Sequence, residues 1–347
     1  MIPKRNHPTI SLIAAEYTQA NTPWYVGYSG GKDSSTVLKL LFLAVAGLST
    51  TGPPITIVYA DSGVQIPPMR DLALSVLDAF EAECAVHQIP LSVAVVLPLL
   101  ADRYLVKVIG RGYPPPTNKF RWCTRRLLTN PVNRFFRESG AERGILLLGL
   151  RRGESASRGL AIGRYSSPNH GYLRQERERG LFIFAPIIEY STEDVWATLF
   201  GNPVPRSIDA EKLFGLYKDA SGEVPTFQAP SSVPHGPGRF GCWTCTVVHK
   251  DHTLASLASN GYPALVPLLE FRDWLAAMRD DPQYRCDRRR NGAPGPGPLT
   301  LRARSEALQR LIRAEQEAGI QLLSPDEASL IGRLWEEDIN SPAYREG

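Results

Sequence analysis

Residues 29–35, with the sequence SGGKDSS, combine backbone freedom, positive charge and hydroxyl groups in one short segment. Gly30 and Gly31 allow the main chain to approach a ligand closely, and Lys32 adds a positive charge. Three serines can donate hydrogen bonds, and they are Ser29, Ser34 and Ser35. An apolar stretch precedes the segment and a stretch with helical spacing follows it, so amides at a helix N-terminus would face the ligand. The pattern predicts a turn that binds a polyphosphate.

Asp33 is the unusual residue of this segment, because a carboxylate beside bound phosphates repels them unless a cation lies between. We therefore expect Mg²⁺ at this site. The segment is not a Walker A motif, since the glycine-lysine pair follows Gly27 one residue too early and Asp33 stands where Ser or Thr is required. It does not match the GxGxxG dinucleotide pattern either. A glycine-rich turn without a ligand is the alternative interpretation.

The cysteines indicate metal or sulfur chemistry. The chain has five, an odd number at uneven spacing, which suits a reducing compartment better than a disulfide framework. Cys242 and Cys245 form a CxxC pair after a loop rich in Pro and Gly at residues 224–241, and such a pair fills half of a metal site. Soft thiolates with many arginines nearby predict a [4Fe-4S] cluster. The expected ligands are Cys123, Cys242, Cys245 and Cys286.

Two other interpretations of these cysteines stay open. His249 and His252 could complete a zinc site with the CxxC pair, although ordinary Cys₂His₂ sites separate their pairs by about 12 residues. The thiols could also carry no metal. If Cys286 is not a ligand, a cluster with three protein ligands would keep one iron open for sulfide. Cys84 lies in a stretch with helical spacing and is expected to be a buried packing thiol.

The elements that must position these residues alternate between apolar runs and stretches with helical spacing. We expect a doubly wound α/β fold, a parallel sheet with helices on both faces. The predicted strands are 24–28, 55–60, 91–96, 145–150 and 181–185, and the predicted helices between them are 34–46, 69–87 and 127–139. Asp61 and Ser62 follow the second strand and Arg151 follows the fourth, at the sheet edge where α/β folds bind ligands.

The strand pattern of the sequence ends near residue 191, and this change divides the chain. Ser191 and Asp194 are spaced as a capping box that opens a short helix, and regular strand signals then cease. We predict a sheet domain at 1–190 and a mostly helical, cysteine-bearing region at 191–347. The chain has 347 residues, 43% of them hydrophobic, with 39 basic against 35 acidic side chains, so it can bury a core and is not a charged disordered tail. No apolar run approaches the roughly 18 residues of a membrane span, so we expect a cytoplasmic protein.

The SGGKDS segment after a strand resembles the PP-loop of ATP pyrophosphatases, which include PAPS reductases and the thiolating enzymes of tRNA. Over nearly the whole chain the sequence resembles the DNA phosphorothioation sulfurtransferases of the DndC or SspD type in that family. The segments that carry this resemblance are RWCTR at 121–125, GLRRGES at 149–155, FGCWTCTVV at 240–248, RRRNG at 288–292 and GPLT at 297–300. PAPS reductases proper use a cysteine in a C-terminal tail, and residues 341–347 contain neither Cys nor His.

The resemblance implies a HUP-like fold and a reaction that cleaves ATP to AMP and pyrophosphate, with the pyrophosphate held by the 29–35 loop. It implies catalytic roles for Lys32, Asp33 and an arginine at Arg151 or Arg152, of which we take Arg151, and nucleotide contacts at Asp61 or Ser62. The alternatives are that Asp61 only caps a turn and that the arginine is only solvated at the surface. It also implies a cysteine desulfurase as sulfur donor, other DNA phosphorothioation proteins as partners, and a role in phage defence.

The same resemblance implies that ATP activates a DNA backbone phosphate by adenylation, so that a sulfur nucleophile can displace AMP. A tRNA thiolase, a sulfonucleotide reductase and a non-enzymatic iron-sulfur sensor are the other candidates. Basic residues concentrate at 121–126, 174–179 and 285–290, which favours contact with DNA, although such short runs are often solvated. Aromatic neighbours that could stack on bases are Trp122, Tyr172 and Tyr284.

Overall fold

The computed structural model describes residues 7–48, 52–140, 143–152, 172–173, 181–221 and 240–340, and the strands in these ranges form one sheet. Its six strands lie in the order β3-β2-β1-β4-β6-β5, and the first five in that order are parallel. The strands are β1 Trp24–Tyr28, β2 Ile55–Ala60, β3 Leu91–Val96, β4 Gly144–Leu148, β5 Tyr172–Leu173 and β6 Leu181–Phe184. The predicted parallel sheet is therefore confirmed.

The first three predicted strands are confirmed at their predicted bounds. The central strand β1, WYVGY, is buried on both faces of the sheet, whereas β3 at the edge is buried only at Val96. The fourth and fifth end earlier than predicted, at Leu148 and Phe184. The two-residue β5 pairs antiparallel with β6 at the sheet's edge and was not predicted. A strand of two residues is too short to show a periodic pattern.

Helices cover both faces of the sheet, as a doubly wound fold requires. The described helices are α1 Pro8–Gln19, α2 Lys32–Val45, α3 Pro67–Val86, α4 Asn130–Glu138, α5 Thr192–Phe200, α6 Ala210–Ser221, α7 His252–Ser259, α8 Val266–Asp280, α9 Leu301–Ala318 and α10 Pro325–Ile339. Trp24 and Val26 of β1 face the main core with α1 and α2. Tyr25 points to the other face, where it packs on Phe136 of α4.

The predicted helix at 127–139 starts differently in the structure. Residues Thr124–Thr129 form a π-helical turn, and α4 begins only at Asn130. Pro131 lacks the amide that would bond to Leu127, so a regular α-helix cannot run unbroken through this point. A second π-helical turn, Val106–Gly110, precedes it.

The region after β6 is helical in its described part, as predicted. Ser191 and Asp194 form the predicted capping box at the start of α5, with hydrogen bonds of 3.0 and 2.9 Å between side chain and backbone. The later helices share the main hydrophobic core with the sheet, so the division at residue 190 stays a prediction. Of the helices described, none is both long enough and apolar enough to cross a bilayer.

Candidate nucleotide and thiol site

The turn from β1 into α2 has a shape that only glycine permits at its second residue. Gly30 has a φ of +80°, in the left-handed region. A Cβ at Gly30 would also lie 2.7 Å from the Cβ of Ala73 on α3. Gly31 is the N-cap of α2, and no side chain caps the helix there. The first amides of α2 are therefore not closed off by a side-chain cap of their own helix.

Two serines of the turn are turned inward. The hydroxyl of Ser34 donates to the carbonyl oxygen of Gly31 at 2.9 Å and lies 3.2 Å from the hydroxyl of Ser29. Ser35 is buried and hydrogen-bonds to Tyr28, whose pKa burial raises to about 12. These bonds brace the turn. The predicted hydrogen bonds from the serines to a phosphate stay a prediction.

A cluster of three charged side chains lies at the N-terminus of α2. The Nε atom of Arg151 donates to Oδ1 of Asp33 at 2.6 Å, and the Nζ atom of Lys32 donates to Oδ2 at 3.2 Å. Arg151 is only 3% exposed, and its other contacts are the carbonyl of Tyr190 at 3.3 Å and the hydroxyl of Thr192 at 3.4 Å. Two cations share one carboxylate, so the cluster carries a net positive charge beside the positive end of the helix dipole.

β4 approaches the turn closely enough to bring Arg151 into this cluster. A Cβ at Gly149 would lie 2.8 Å from the carbonyl oxygen of Asp33. The structure thus brings together the predicted residues Lys32, Asp33 and Arg151 at the carboxyl edge of the sheet. Glu154 and Ser155, the end of the GLRRGES segment, lie outside the described residues.

Tyr217 is a residue of this site that the sequence did not indicate. Its hydroxyl accepts a hydrogen bond from the backbone amide of Lys32 at 3.2 Å, and the Lys32 Nζ atom lies 5.2 Å from the ring centroid. Burial raises the pKa of the Tyr217 hydroxyl, so the group is neutral at physiological pH. Tyr217 comes from α6, 185 positions away. Nothing near it in the sequence signals this contact.

Asp61 lies at the same edge of the sheet, but both of its oxygens have protein partners. Oδ1 accepts from the amide of Gly63 at 2.8 Å, and Oδ2 accepts from Arg70 at 2.9 Å. Asp61 is 1% exposed, so the structure agrees with the turn-capping alternative, and a nucleotide contact stays a prediction. The hydroxyl of Ser62 lies 3.7 Å from Sγ of Cys242 and so borders the cysteines.

The CxxC loop is attached to the segment that follows β2. Cys242 forms an antiparallel bridge with Gln65, and the amide of Trp243 donates to the carbonyl of Val64 at 3.0 Å. The amide of Cys245 turns back to the carbonyl of Cys242 at 3.0 Å. This pairing holds both thiols at the carboxyl end of β2, next to the turn after β1.

Three of the predicted ligands lie near the buried Tyr104, whose hydroxyl donates to the carbonyl of Thr244 and whose ring stacks on Trp122. Burial raises the pKa of the Tyr104 hydroxyl, and Cys123, Cys242 and Cys245 lie near enough to raise it further once they are deprotonated. Burial also raises the pKa of Cys242 to about 12, and Cys245 and Cys123 add to that shift. The thiols are therefore close enough to act on one another. Among the described residues, however, no three His, Cys, Asp or Glu side chains are arranged as a ready metal site.

Cys286 occupies a different loop. Its amide donates to the carbonyl of Pro298 at 2.9 Å, and its carbonyl accepts from the amide of Gly297 at 2.7 Å. Its described backbone contacts are with this loop rather than with the other three predicted ligands. The histidines of the zinc alternative, His249 and His252, are exposed. Cys84 is buried in the main core, as expected for a packing thiol.

A buried arginine, also not anticipated, holds the backbone that follows the CxxC pair. Arg272 of α8 is 0% exposed. Its Nε atom donates to the carbonyl of Cys245 at 2.8 Å, and its NH1 atom donates to the carbonyl of His249 at 2.9 Å. The remaining nitrogen donates to the carbonyl of Val248. The fork of the guanidinium thereby fixes the course of the loop.

The prediction that Trp122 stacks on nucleic-acid bases is wrong. Trp122 is buried, stacks on Tyr104 at 5.6 Å between centroids, and donates to the carbonyl of Pro114 at 3.0 Å. The indole ring of Trp122 therefore packs in the core next to Cys123. Tyr284 packs edge-on against Trp274. The basic run at 174–179 and the side chain of Tyr172 lie outside the described residues.

Comparison with known proteins gives limited similarity. No family model matches the chain. An uncharacterized protein of Methanocaldococcus jannaschii is 23% identical over 205 residues, which are 59% of this chain and 37% of that protein. The chain thus spans little more than a third of the length of this curated relative.

Three solved structures are weakly similar to the chain. Phosphoadenylyl-sulfate (PAPS) reductase from Candida auris is 15% identical, with a TM-score of 0.38 over 58% of this chain and 82% of that chain. The U34-tRNA thiolase NcsA from Methanococcus maripaludis, which has a [4Fe-4S] cluster, is 13% identical, with a TM-score of 0.37 over 78% of each chain. FMN adenylyltransferase from Candida glabrata is 13% identical, with a TM-score of 0.36 over 63% of this chain and 60% of that chain. Scores this low say nothing about which reaction this chain carries out.

Proposed function

We propose that this chain cleaves ATP to AMP and pyrophosphate at the 29–35 turn and uses the adenylate to place sulfur in a DNA backbone phosphate. The observation that carries the proposal is the carboxylate of Asp33 at the N-terminus of α2, which pairs with both the buried Arg151 and Lys32. A cationic cluster next to helix amides, on a turn that leaves no space for a side chain at Gly30, suits a diphosphate.

The chemistry requires a good leaving group, because oxide does not leave readily from an anionic phosphodiester. A phosphate oxygen of the substrate would attack the α-phosphorus of ATP, and the bond from that phosphorus to the bridging oxygen would break. Pyrophosphate would leave into the turn, where Lys32 and Arg151 stabilise its charge. A sulfide-level nucleophile would then attack the substrate phosphorus, and AMP would leave with the displaced oxygen.

The turn fits Mg²⁺ through a single carboxylate. Mg²⁺ usually binds one or two carboxylates together with phosphate oxygens and water, and Asp33 supplies one carboxylate beside the turn. When bound, the ion would neutralise charge on the phosphates. The Nζ atom of Lys32 lies 3.2 Å from Oδ2 of Asp33, so Lys32 would have to leave this carboxylate for the phosphates if Asp33 is to hold the ion.

The donor set fits an iron-sulfur cluster in kind, since Tyr104 contacts Thr244 of the CxxC loop and Trp122 next to Cys123, and soft thiols are the ligands that such a cluster takes. We propose Cys123, Cys242 and Cys245 as its ligands, with Cys286 as the candidate for a fourth. A cluster with an open iron would supply a binding position for sulfur. A cysteine desulfurase is the proposed sulfur source, and other DNA phosphorothioation proteins are the proposed partners.

Pyrophosphate release from ATP tests the proposal. Wild-type protein with Mg²⁺ and DNA should release pyrophosphate, and Lys32→Ala should lower the rate about 100-fold or more, because one stabilising charge in a transition state is worth that much. Lys212→Ala, on the exposed side of α6, is the matched control and should keep the wild-type rate. An unchanged rate in Lys32→Ala would overturn the assignment of the turn.

The substrate is tested by mass analysis of nucleic acid from cells with and without the intact gene. A sulfur-for-oxygen increment in the DNA backbone supports the proposal. Sulfur found in tRNA bases, or reduction of a sulfonucleotide by the purified protein, would replace it with the thiolase or the reductase. Pyrophosphate release also separates an enzyme from a sensor that binds ATP without turnover.

A further inference from the structure

A polar cleft of about 620 Å³ lies between α4 and the segment that follows β3. Its floor and walls carry three arginines and two asparagines, which are Arg126, Asn130, Asn133, Arg134 and Arg137. Asp102 is the acid of the lining. The cleft lies apart from the 29–35 turn, and the ATP reaction proposed above makes no use of it.

The acid in the cleft is already neutralised. Oδ1 of Asp102 accepts from Arg126 at 2.9 Å and from Lys107 at 3.0 Å. Arg134 is anchored by a 2.7 Å bond to the carbonyl of Leu97, which leaves its charge at the cleft, 4.0 Å from Glu138. Arg137 is exposed. The cleft surface therefore carries more positive than negative charge, and two of its three guanidinium groups, those of Arg126 and Arg134, are anchored.

The order of the strands places this cleft beside the thiols. The 29–35 turn follows β1, the segment paired with Cys242 follows β2, and the cleft follows β3. Because these strands are parallel and adjacent, their carboxyl ends form one edge with a spacing of about 4.8 Å between neighbours. Nucleotide turn, cysteines and cleft thus follow one another along this edge.

We propose that the cleft between α4 and the segment after β3 binds the sugar-phosphate backbone of the nucleic-acid substrate. The inference rests on the proposed function for the identity of that substrate. Arginine and asparagine side chains are ordinary donors to phosphate oxygens, and such contacts position a nucleic acid without reading its sequence. Leu99, which is 56% exposed on the rim, offers an apolar surface for a sugar.

The experiment measures binding of labelled duplex DNA and of labelled tRNA to the full chain by fluorescence anisotropy over a series of salt concentrations. Arg137→Glu should raise the Kd about tenfold, and Arg134→Gln should also weaken binding. Each lost phosphate contact should lower the slope of log K against log salt by about 1. Arg313→Glu is the control, because Arg313 is an exposed arginine of a separate basic hollow on α9.

The proposal would be overturned if Arg137→Glu and Arg134→Gln behave like the control Arg313→Glu. In that case the Kd and the salt slope of all three variants would agree for both nucleic acids. Thermal melting of each variant verifies folding, and Arg137→Gln replaces the reversed charge if Arg137→Glu melts early. Binding of tRNA alone that depends on Arg137 supports the cleft but contradicts DNA as the substrate. Loss of pyrophosphate release in Lys32→Ala tests the turn separately, so the two proposals fail on different measurements.

Discussion

Arg151 and Asp33 form a 2.6 Å ion pair although 118 positions separate them in the chain. The pair joins the segment that follows β4 to the first turn of α2. Since the side chain of Arg151 is only 4% exposed, its charge depends on this carboxylate and on the carbonyl of Tyr190. The same carboxylate holds Lys32 over the turn. One aspartate therefore both orders the cationic cluster and limits its net charge.

We predict that Asp33→Asn lowers the free energy of unfolding by about 3 kcal/mol, because it leaves the buried Arg151 without a counter-charge. Urea unfolding followed by circular dichroism measures this loss. The double variant Asp33→Asn, Arg151→Met should lose less than Asp33→Asn alone, since it removes the unpaired charge. If Asp33→Asn changes stability by less than about 0.5 kcal/mol, the pair is not a structural contact.

Tyr217 gives a prediction about the affinity of the site for pyrophosphate. Its hydroxyl accepts from the Lys32 amide at 3.2 Å, an amide that a phosphate would also use. Tyr217→Phe removes this competing bond, worth about 0.5 to 1.5 kcal/mol, so pyrophosphate should bind about 2- to 10-fold more tightly. Isothermal titration calorimetry with pyrophosphate measures the change. Weaker binding would show instead that the hydroxyl itself contacts the phosphate.

The sequence predicts more of the fold than of the candidate site. Buried strands and the SGGKDSS turn are local patterns, so short windows of sequence are sufficient to place them. Tyr217 and Arg272 act on groups far along the chain, and no local pattern marks such partners. Trp122 shows the converse error, because an aromatic residue among arginines suggests base stacking until its burial on Tyr104 is known.

The cysteines show the same difference between local sequence patterns and contacts made far along the chain. Their spacing in the sequence predicted a group of four, and the structure places three near Tyr104 because the CxxC loop pairs with the strand-like segment at Gln65. The backbone of Cys286 pairs instead with Pro298 and Gly297. Backbone pairing between distant loops decides which thiols meet, and composition carries no information about it.

Arg272 should be a positioning residue for the CxxC loop. Arg272→Lys keeps the charge but cannot reach three carbonyls with one ammonium group, so the loop should loosen. We expect faster alkylation of Cys245 in the variant, and a lower ratio of iron to protein after anaerobic purification. Arg313→Lys on α9 serves as the surface control. Alkylation as slow as in the wild type would contradict this role.

Lys39 gives a prediction about how the folding stability changes with pH. The lysine is 1% exposed, its Nζ atom donates to the carbonyls of Leu199 and Asn202, and burial lowers its pKa from 10.5 to about 8. Between about pH 8 and 10.5 the unfolded chain therefore holds a proton that the folded chain has lost. Folding stability should rise with pH in that window, because the cost of the buried charge disappears.

The comparison with Lys39→Met isolates this effect from other groups that titrate in the same range. Urea unfolding at about pH 7 and about pH 10 should show the wild type gaining stability relative to Lys39→Met by an amount on the order of 3 kcal/mol. Below the folded pKa the difference between the two proteins should be constant. A difference that stays flat up to pH 10 would mean that the two carbonyls at the end of α5 keep the ammonium charged against its burial.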